Sequence, residues 1–351
     1  MKDDLIADKC APQHEHAPRP LPLFLELVRE AGKSDPELAR TALAGLRAYQ
    51  RAPRDRQRPL MPEAARAGSA RLRDFGGSGP PALLVPSLIN PPDILDLDEE
   101  TSLALAVRAM GRRTLLLDWG PAEQRKSLSV ANHVEDLLVP LLQAIGEPSA
   151  LVGYCLGGTM AIAASNLISV DRVATLASPW HFAQYPASSR ASLQTLWANS
   201  RASAEALGAL PMELLQAAFW SLDPLRTVTK FADFASLEPG SAKARRFIAL
   251  EDWANEGEAL PLPAALELIE RLFGDDLPGS GHWVVGGKTI GEQLTVPLLN
   301  LTAANDRIAP AASAPLGHSE AIASGHVGMV VGSKRAALHR ALADFLRPAC
   351  R

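Results

Sequence analysis

Cysteine is scarce. The 351 residues hold three, and Cys10 and Cys350 lie near the ends. Thiols so placed make neither a disulfide framework nor a metal cluster, and they point to a reducing cytoplasm. Charge of one sign is equally short: a net charge of −4 gives no electrostatic case for nucleic acid. The opening Met1-Lys2-Asp3-Asp4 lacks the basic-then-apolar pattern of a signal peptide, and no apolar run approaches membrane-spanning length. Internal repeats and low-complexity tracts are missing as well, so a repeat architecture is excluded. What the chain does have is core-forming material. A hydrophobic content of 47% is ample for a layered core, and the length suits one large domain or one domain with an insertion.

Cys155 is the one internal cysteine, and its setting is specific. Ala150-Leu151-Val152 reads as a buried strand, and Gly158 to Asn166, rich in Ala, Ile and Met, reads as a buried helix. Between them lies Gly153-Tyr154-Cys155-Leu156-Gly157-Gly158. This spacing fits a nucleophile elbow, a strained strand-to-helix turn whose neighbours at minus two and plus two must be small. Gly153 and Gly157 meet that demand, with Gly158 following. The helix N-terminus would set backbone N–H groups and partial positive charge beside the sulfur, which favours a thiolate. The competing reading is a buried structural cysteine in a Gly-rich turn.

The rest of the chain supplies a frame. Residues 1 to about 20 read as a tail, and Leu21 to Gln50 as two helices broken near Gly32 to Pro36, with Ser34 or Asp35 as the cap. Arg51 to Arg73 is basic and reads as a solvated connector. Strands then alternate with helices: strands at 82–85, 114–117, 150–154 and 173–177, helices at 101–110 and 129–145. That rhythm means a parallel sheet. From Pro186 to Gly281 the pattern is helical and broken by prolines, as in an inserted lid. A strand at 296–302 and a helix at 334–346 close the sheet domain. The expected architecture is an α/β-hydrolase fold, a mostly parallel sheet flanked by helices with an inserted helical lid. Its segments are a tail and helical region (1–70), the first core part (71–185), the lid (186–285) and the second core part (286–351).

A hydrolase-type triad runs nucleophile, acid, histidine along the chain, with acid and base on loops after late strands. Asp306 directly follows the late strand, and His326 lies in Ser324-Gly325-His326-Val327-Gly328. A histidine held by a carboxylate can deprotonate the thiol and return the proton. His318 is a rival set in a polar loop, whereas His326 has small neighbours that allow close approach to the sulfur. His133 reads as structural. His181 and His282 are open as site neighbours, and Asp118 is a loop anchor or a site wall. The oxyanion donors would be the N–H of Leu156 and one from Leu88 or Ile89. Cysteine in place of serine has a chemical meaning. It converts one thioester into another of nearly equal energy, so the acyl group stays transferable to an alcohol.

The Gly-x-Cys-x-Gly-Gly segment resembles the lipase-like box of polyhydroxyalkanoate synthases. Leu84 to Asn90 with Ile94-Leu95-Asp96-Leu97, Asp118-Trp119-Gly120, Asp306 to Pro310 and Ser324-Gly325-His326 are similar to further motifs of that family, closest to its short two-subunit class. The resemblance covers roughly Leu72 to the C-terminus. It implies an acyltransferase that polymerises (R)-3-hydroxyacyl-CoA and releases CoA. Cys155 would carry the chain as a thioester, His326 would activate it, and Asp306 would assist attack by the 3-hydroxyl group. No metal or dissociable cofactor is implied beyond the CoA thioester substrate. A homodimer with a small partner subunit, in the cytoplasm or on a polyester granule, would follow. Four departures stand out. Arg307 replaces a histidine, Pro92-Asp93 replace two tyrosines, His181 replaces an aspartate, and the stretch from Asp306 to His326 is short. A thioesterase or polyester depolymerase on the same scaffold is the alternative, and a non-catalytic granule or partner subunit is a third reading.

Overall fold

The computed structural model describes residues 16–54 and 58–347. Cys10 and Cys350 lie outside them, as does most of the expected tail. The chain divides into two compact units, residues 1–55 with 224–255 and residues 56–223 with 256–351.

The smaller unit is helical. Leu21–Ser34 and Pro36–Arg51 are joined at Asp35, whose carboxylate caps the second helix by accepting from Leu38 N at 2.9 Å. The second helix crosses Pro224–Ala235 closely, because a Cβ on Gly45 would lie 1.9 Å from the Phe231 carbonyl oxygen. Phe24, Tyr49 and Phe247 pack edge-on to Phe231, at centroid distances of 4.7, 5.8 and 5.4 Å. The Tyr49 hydroxyl donates to Asp252 at 2.6 Å, and Arg54 pairs with the same carboxylate.

The larger unit is built on eight strands: β1 Glu63–Ala67, β2 Ala70–Gly76, β3 Pro81–Val85, β4 Arg113–Asp118, β5 Ala150–Tyr154, β6 Arg172–Leu176, β7 Leu298–Ala303 and β8 His318–Ile322. Their order is β1-β2-β4-β3-β5-β6-β7-β8. β2 runs antiparallel to both its neighbours, and from β4 onward all pairs are parallel. An antiparallel hairpin leading into a parallel sheet with this single order exchange is the α/β-hydrolase fold. β3 and β5 lie at the centre, and every residue in them is buried. They therefore read as continuous apolar runs rather than alternating ones.

Two readings of the sequence need correction. The basic stretch up to Arg73 is not all connector, since β1 and β2 form a hairpin within it and its continuation. In β2, Ala70, Leu72 and Phe75 are buried while Arg71 and Arg73 face out and pair with Asp118 at 2.8 and 2.6 Å. The charges that suggested a solvated linker are the outer face of a strand. His318 likewise opens strand β8 rather than sitting in a loop, and it is exposed beside Glu320.

The helical run after β4 passes through Val130–Asn132, a wider π segment His133–Leu138, and Val139–Ile145. The wide turns precede Pro140, which has no N–H to return and whose ring would press on the carbonyl four residues back. His133 is fully buried in this segment. Arg125 Nη1 lies 3.2 Å from its Nε2, and the Ser129 carbonyl lies 2.6 Å from its Nδ1. Arginine can only donate and a carbonyl can only accept, so the ring is neutral with its proton on Nδ1. Burial lowers its pKa from 6.5 to about 4, with Arg125 adding to the effect against the Ser129 hydrogen bond. A histidine depressed in the folded state contributes stability above pH 6.5 that is lost as pH falls through about 4. Between pH 7 and pH 4, urea unfolding of the native chain should lose about 3 kcal/mol more than His133→Gln, which carries no ionisable ring. Equal losses in the two proteins would refute this assignment.

Candidate active site

The elbow is a backbone feature before it is a chemical one. Cys155 has φ 55° and ψ −131°, a conformation that a side chain rarely tolerates, at the junction of β5 and the helix Leu156–Leu167. Its N–H is held by the Leu176 carbonyl at 2.9 Å, and its own carbonyl accepts from Gly158 N at 3.0 Å. Three glycines make room. A Cβ on Gly153 would lie 2.4 Å from Gly158 Cα, one on Gly157 would lie 2.1 Å from the Val85 carbonyl oxygen, and one on Gly158 would lie 2.0 Å from Ser178 Oγ. The thiol is free and partly exposed.

The contact at Gly157 also brings the loop after β3 against the elbow. Pro86 is fixed there because Trp119 Nε1 donates to its carbonyl at 3.2 Å, while Ser69 Oγ holds the Trp119 carbonyl. Of the two residues considered as second oxyanion donor, Ile89 N points to Ser87 Oγ at 3.4 Å. Leu88 N has no acceptor among the described residues; lacking one is usual for a first-turn helix amide such as that of Leu156.

Asp306 and His326 come from loops that follow β7 and β8. Asp306 Oδ1 accepts from Ile308 N and Ala309 N at 2.8 and 2.9 Å, and Oδ2 lies 2.7 Å from His326 Nδ1. Asn305 N donates to the Ser324 carbonyl, joining the two loops. The Asp306 side chain is fully buried and that of His326 is 8% exposed. A carboxylate on Nδ1 requires the proton there, which turns Nε2 toward the sulfur. Cys155 is near enough to act electrostatically on the ring. Burial alone would lower the imidazole pKa, but the negative sulfur and the bonded Asp306 raise it from 6.5 to about 10. The arrangement can hold a thiolate against an imidazolium and pass a proton between them.

The remaining titratable residues sort by their partners. Asp118 is an anchor for β2 and for Gly120 N, through Arg71, Arg73 and its own loop. His282 is exposed and meets Ser280. His181 pairs with Glu292 at 3.1 Å. Two tyrosines carry no signal in the sequence and belong to the site. Tyr154 stacks at a tilt on His326 with centroids 5.1 Å apart. Burial pushes the phenols of Tyr154 and Tyr185 far up, and the charge of Cys155 adds to this in both. Among the described residues no group of three His, Cys, Asp or Glu is placed to hold a metal ion. Two cavities, of about 640 and 550 Å³, lie away from the sulfur, one beside Arg271 and Trp283, the other beside Lys126 and Leu207.

No family model matches the chain. It is 26% identical over 273 residues to the Poly(3-hydroxyalkanoate) polymerase subunit PhaC of Haloferax mediterranei, covering 72% of this chain and 56% of that protein. The protein of the same name from Synechocystis is 26% identical over 278 residues, with 72% and 74% covered. The chain is thus similar to proteins named as polyhydroxyalkanoate polymerase subunits. It spans just over half the length of the Haloferax protein. Among solved structures, the meta-cleavage product hydrolase of Pseudomonas fluorescens aligns with a TM-score of 0.46 at 15% identity, covering 82% of this chain and 97% of that one.

Against the synthase pattern, the departures have definite surroundings. Arg307 turns away from the Asp306 carboxylate, donating to the Leu222 carbonyl at 3.1 Å and pairing with Asp223 at 3.0 Å. Pro92 and Asp93 open a short 3-10 turn, Pro92–Asp96.

A raised imidazole has a direct signature. In proton NMR the His326 ring should remain charged at pH 8 and titrate with a midpoint near 10, and Asp306→Asn should move that midpoint down. Its contribution to stability is complete below pH 6.5 and is lost as pH rises through about 10. A ring that is already neutral at pH 8 would contradict the ion pair.

Proposed function

We propose that this chain is an acyltransferase of the polyhydroxyalkanoate synthase type, joining (R)-3-hydroxyacyl units from CoA thioesters. The observation that carries this reading is a cysteine at a hydrolase elbow beside a buried His326–Asp306 pair at 2.7 Å. The names of the similar proteins, poly(3-hydroxyalkanoate) polymerase subunits, supply the product class.

In the proposed cycle the Cys155 sulfur attacks the thioester carbonyl, and the oxyanion is met by the N–H groups of Leu156 and Leu88. Collapse breaks the carbon–sulfur bond to CoA, whose departing thiolate takes the proton from His326. The acyl group is then a thioester on Cys155. Neutral His326 accepts the proton of a 3-hydroxyl group as that oxygen attacks, with Asp306 holding Nδ1–H throughout. An ester forms and the thiolate returns. Each acyl transfer from sulfur to oxygen runs downhill, because a thioester is the more reactive acyl donor. The chemistry uses side chains and the CoA substrate alone, and we assign it no metal or redox cofactor.

Among the described residues no helix is long and apolar enough to cross a membrane. A cytoplasmic enzyme on a growing polyester surface, acting as a homodimer with or without a small partner subunit, agrees with the reading. The altered loop at Pro92-Asp93 motivates one rival, hydrolysis of the acyl enzyme by water.

Purified protein given 3-hydroxybutyryl-CoA, alone and with a candidate partner subunit, should release CoA and deposit insoluble polymer. Cys155→Ala should reduce CoA release on the order of a thousandfold or more. Stoichiometric free hydroxy acid in place of polymer would establish the hydrolase. Equal CoA release by native and Cys155→Ala protein would remove Cys155 from the mechanism.

A further inference from the structure

The loop that carries Asp306 is fastened at its far end, at Ser313 to the segment after β6 and at Leu316 to Glu292. Within it, Ser313 N and Oγ both donate to the Pro310 carbonyl, at 2.8 and 2.7 Å. The Ser313 carbonyl accepts from Trp180 N and His181 N at 2.6 and 2.9 Å. Ser313 is itself fully buried. Further along, Leu316 N donates to Glu292 Oε2 at 2.6 Å, and the same oxygen receives His181 Nε2 at 3.1 Å. Both partners are mostly shielded, His181 at 18% and Glu292 at 10% side-chain exposure. His181 thus grips the loop twice, through its own amide at Ser313 and through Glu292 at Leu316.

We propose that His181 and Glu292 are positioning residues for Asp306, fixing the far side of its loop so that the carboxylate is aimed at His326. The proposal rests on the reading of Asp306 as partner of the base. Asp306 has both oxygens committed, Oδ1 to Ile308 N and Ala309 N and Oδ2 to His326. A slack loop would therefore move the carboxylate with the backbone it is bonded to. Histidine at 181, where the synthases carry aspartate, makes sense in this light, because an aspartate there would face Glu292 with like charge.

The test uses full-length protein and two readouts. One is the rate of Cys155 alkylation by iodoacetamide across pH, which needs no substrate. The other is CoA release from 3-hydroxybutyryl-CoA, resolved into kcat and KM. Glu292→Ala and His181→Asp should each slow alkylation at neutral pH and lower kcat by about ten- to a hundredfold, with KM little changed. His181→Gln, which keeps a donor for Glu292, should recover most of the rate lost in His181→Asp. Should Glu292→Ala fail to fold, the His181→Asp and His181→Gln pair decides the matter. Native rates in His181→Asp, or an equal loss in His181→Gln, would overturn the proposal. Slowed alkylation in the variants of a protein that releases no CoA at all would support positioning and dismiss the synthase reading.

Discussion

A cysteine held at φ 55° is unfavourable locally and persists only because the surroundings leave it no alternative. Its amide is bonded to β6 and its carbonyl to Gly158, so both adjoining peptides are fixed by the sheet and the helix it joins. The glycines then turn this constraint into a site. Because Gly157 has no side chain, the loop after β3 can lie against the elbow at Val85 and Pro86. Because Gly158 has none, Ser178 at the end of β6 closes on the same turn. Strain at one residue thus fixes the spacing of three strands' C-terminal ends.

Two buried histidines show how the fold chooses a protonation state. His133 and His326 are both withdrawn from water, which by itself opposes charge in each. His133 meets an arginine and a carbonyl, a pair that can only suit a neutral ring. His326 meets a carboxylate and lies in the field of the Cys155 sulfur, which suit a charged one. The imidazoles move in opposite directions, to about 4 and about 10. Burial accounts for the first, and in the second the neighbouring carboxylate and sulfur overturn it.

The legible parts of the sequence were those whose physics is local. β5 was readable as a short apolar run, the elbow as a spacing of small residues, and the acid and histidine as chain order after late strands. Asp306 and His326 meet as that order implies. What escaped was long-range. The β1–β2 hairpin was masked by arginines whose partner, Asp118, lies more than forty residues away. Tyr154 and Tyr185 look like ordinary core aromatics until the sulfur is placed near them. His181 could not be assigned because its partner Glu292 is separated from it by the whole helical insertion. The joining of the helices at 21–51 with those at 224–255 into one unit has the same cause, since no local pattern announces Gly45 against Phe231.

The sulfur and the burial of its partners make a single argument about what receives the acyl group. In the proposed reaction water competes with a 3-hydroxyl group at every turnover, and it is far more concentrated. A serine ester would blunt both competitors by lowering acyl reactivity, whereas a cysteine thioester keeps the acyl group reactive and leaves selection to the surroundings. Here the His326 side chain is 8% exposed and that of Asp306 is fully buried. Water that could be activated is correspondingly scarce, while a hydroxyl delivered on an acyl chain brings its own apolar surface into the site. In the proposed reaction such a site would favour an alcohol over water by exclusion more than by recognition. On that view the residues that hold the Asp306 loop shut against the β6 segment matter to the outcome of the reaction as well as to its rate.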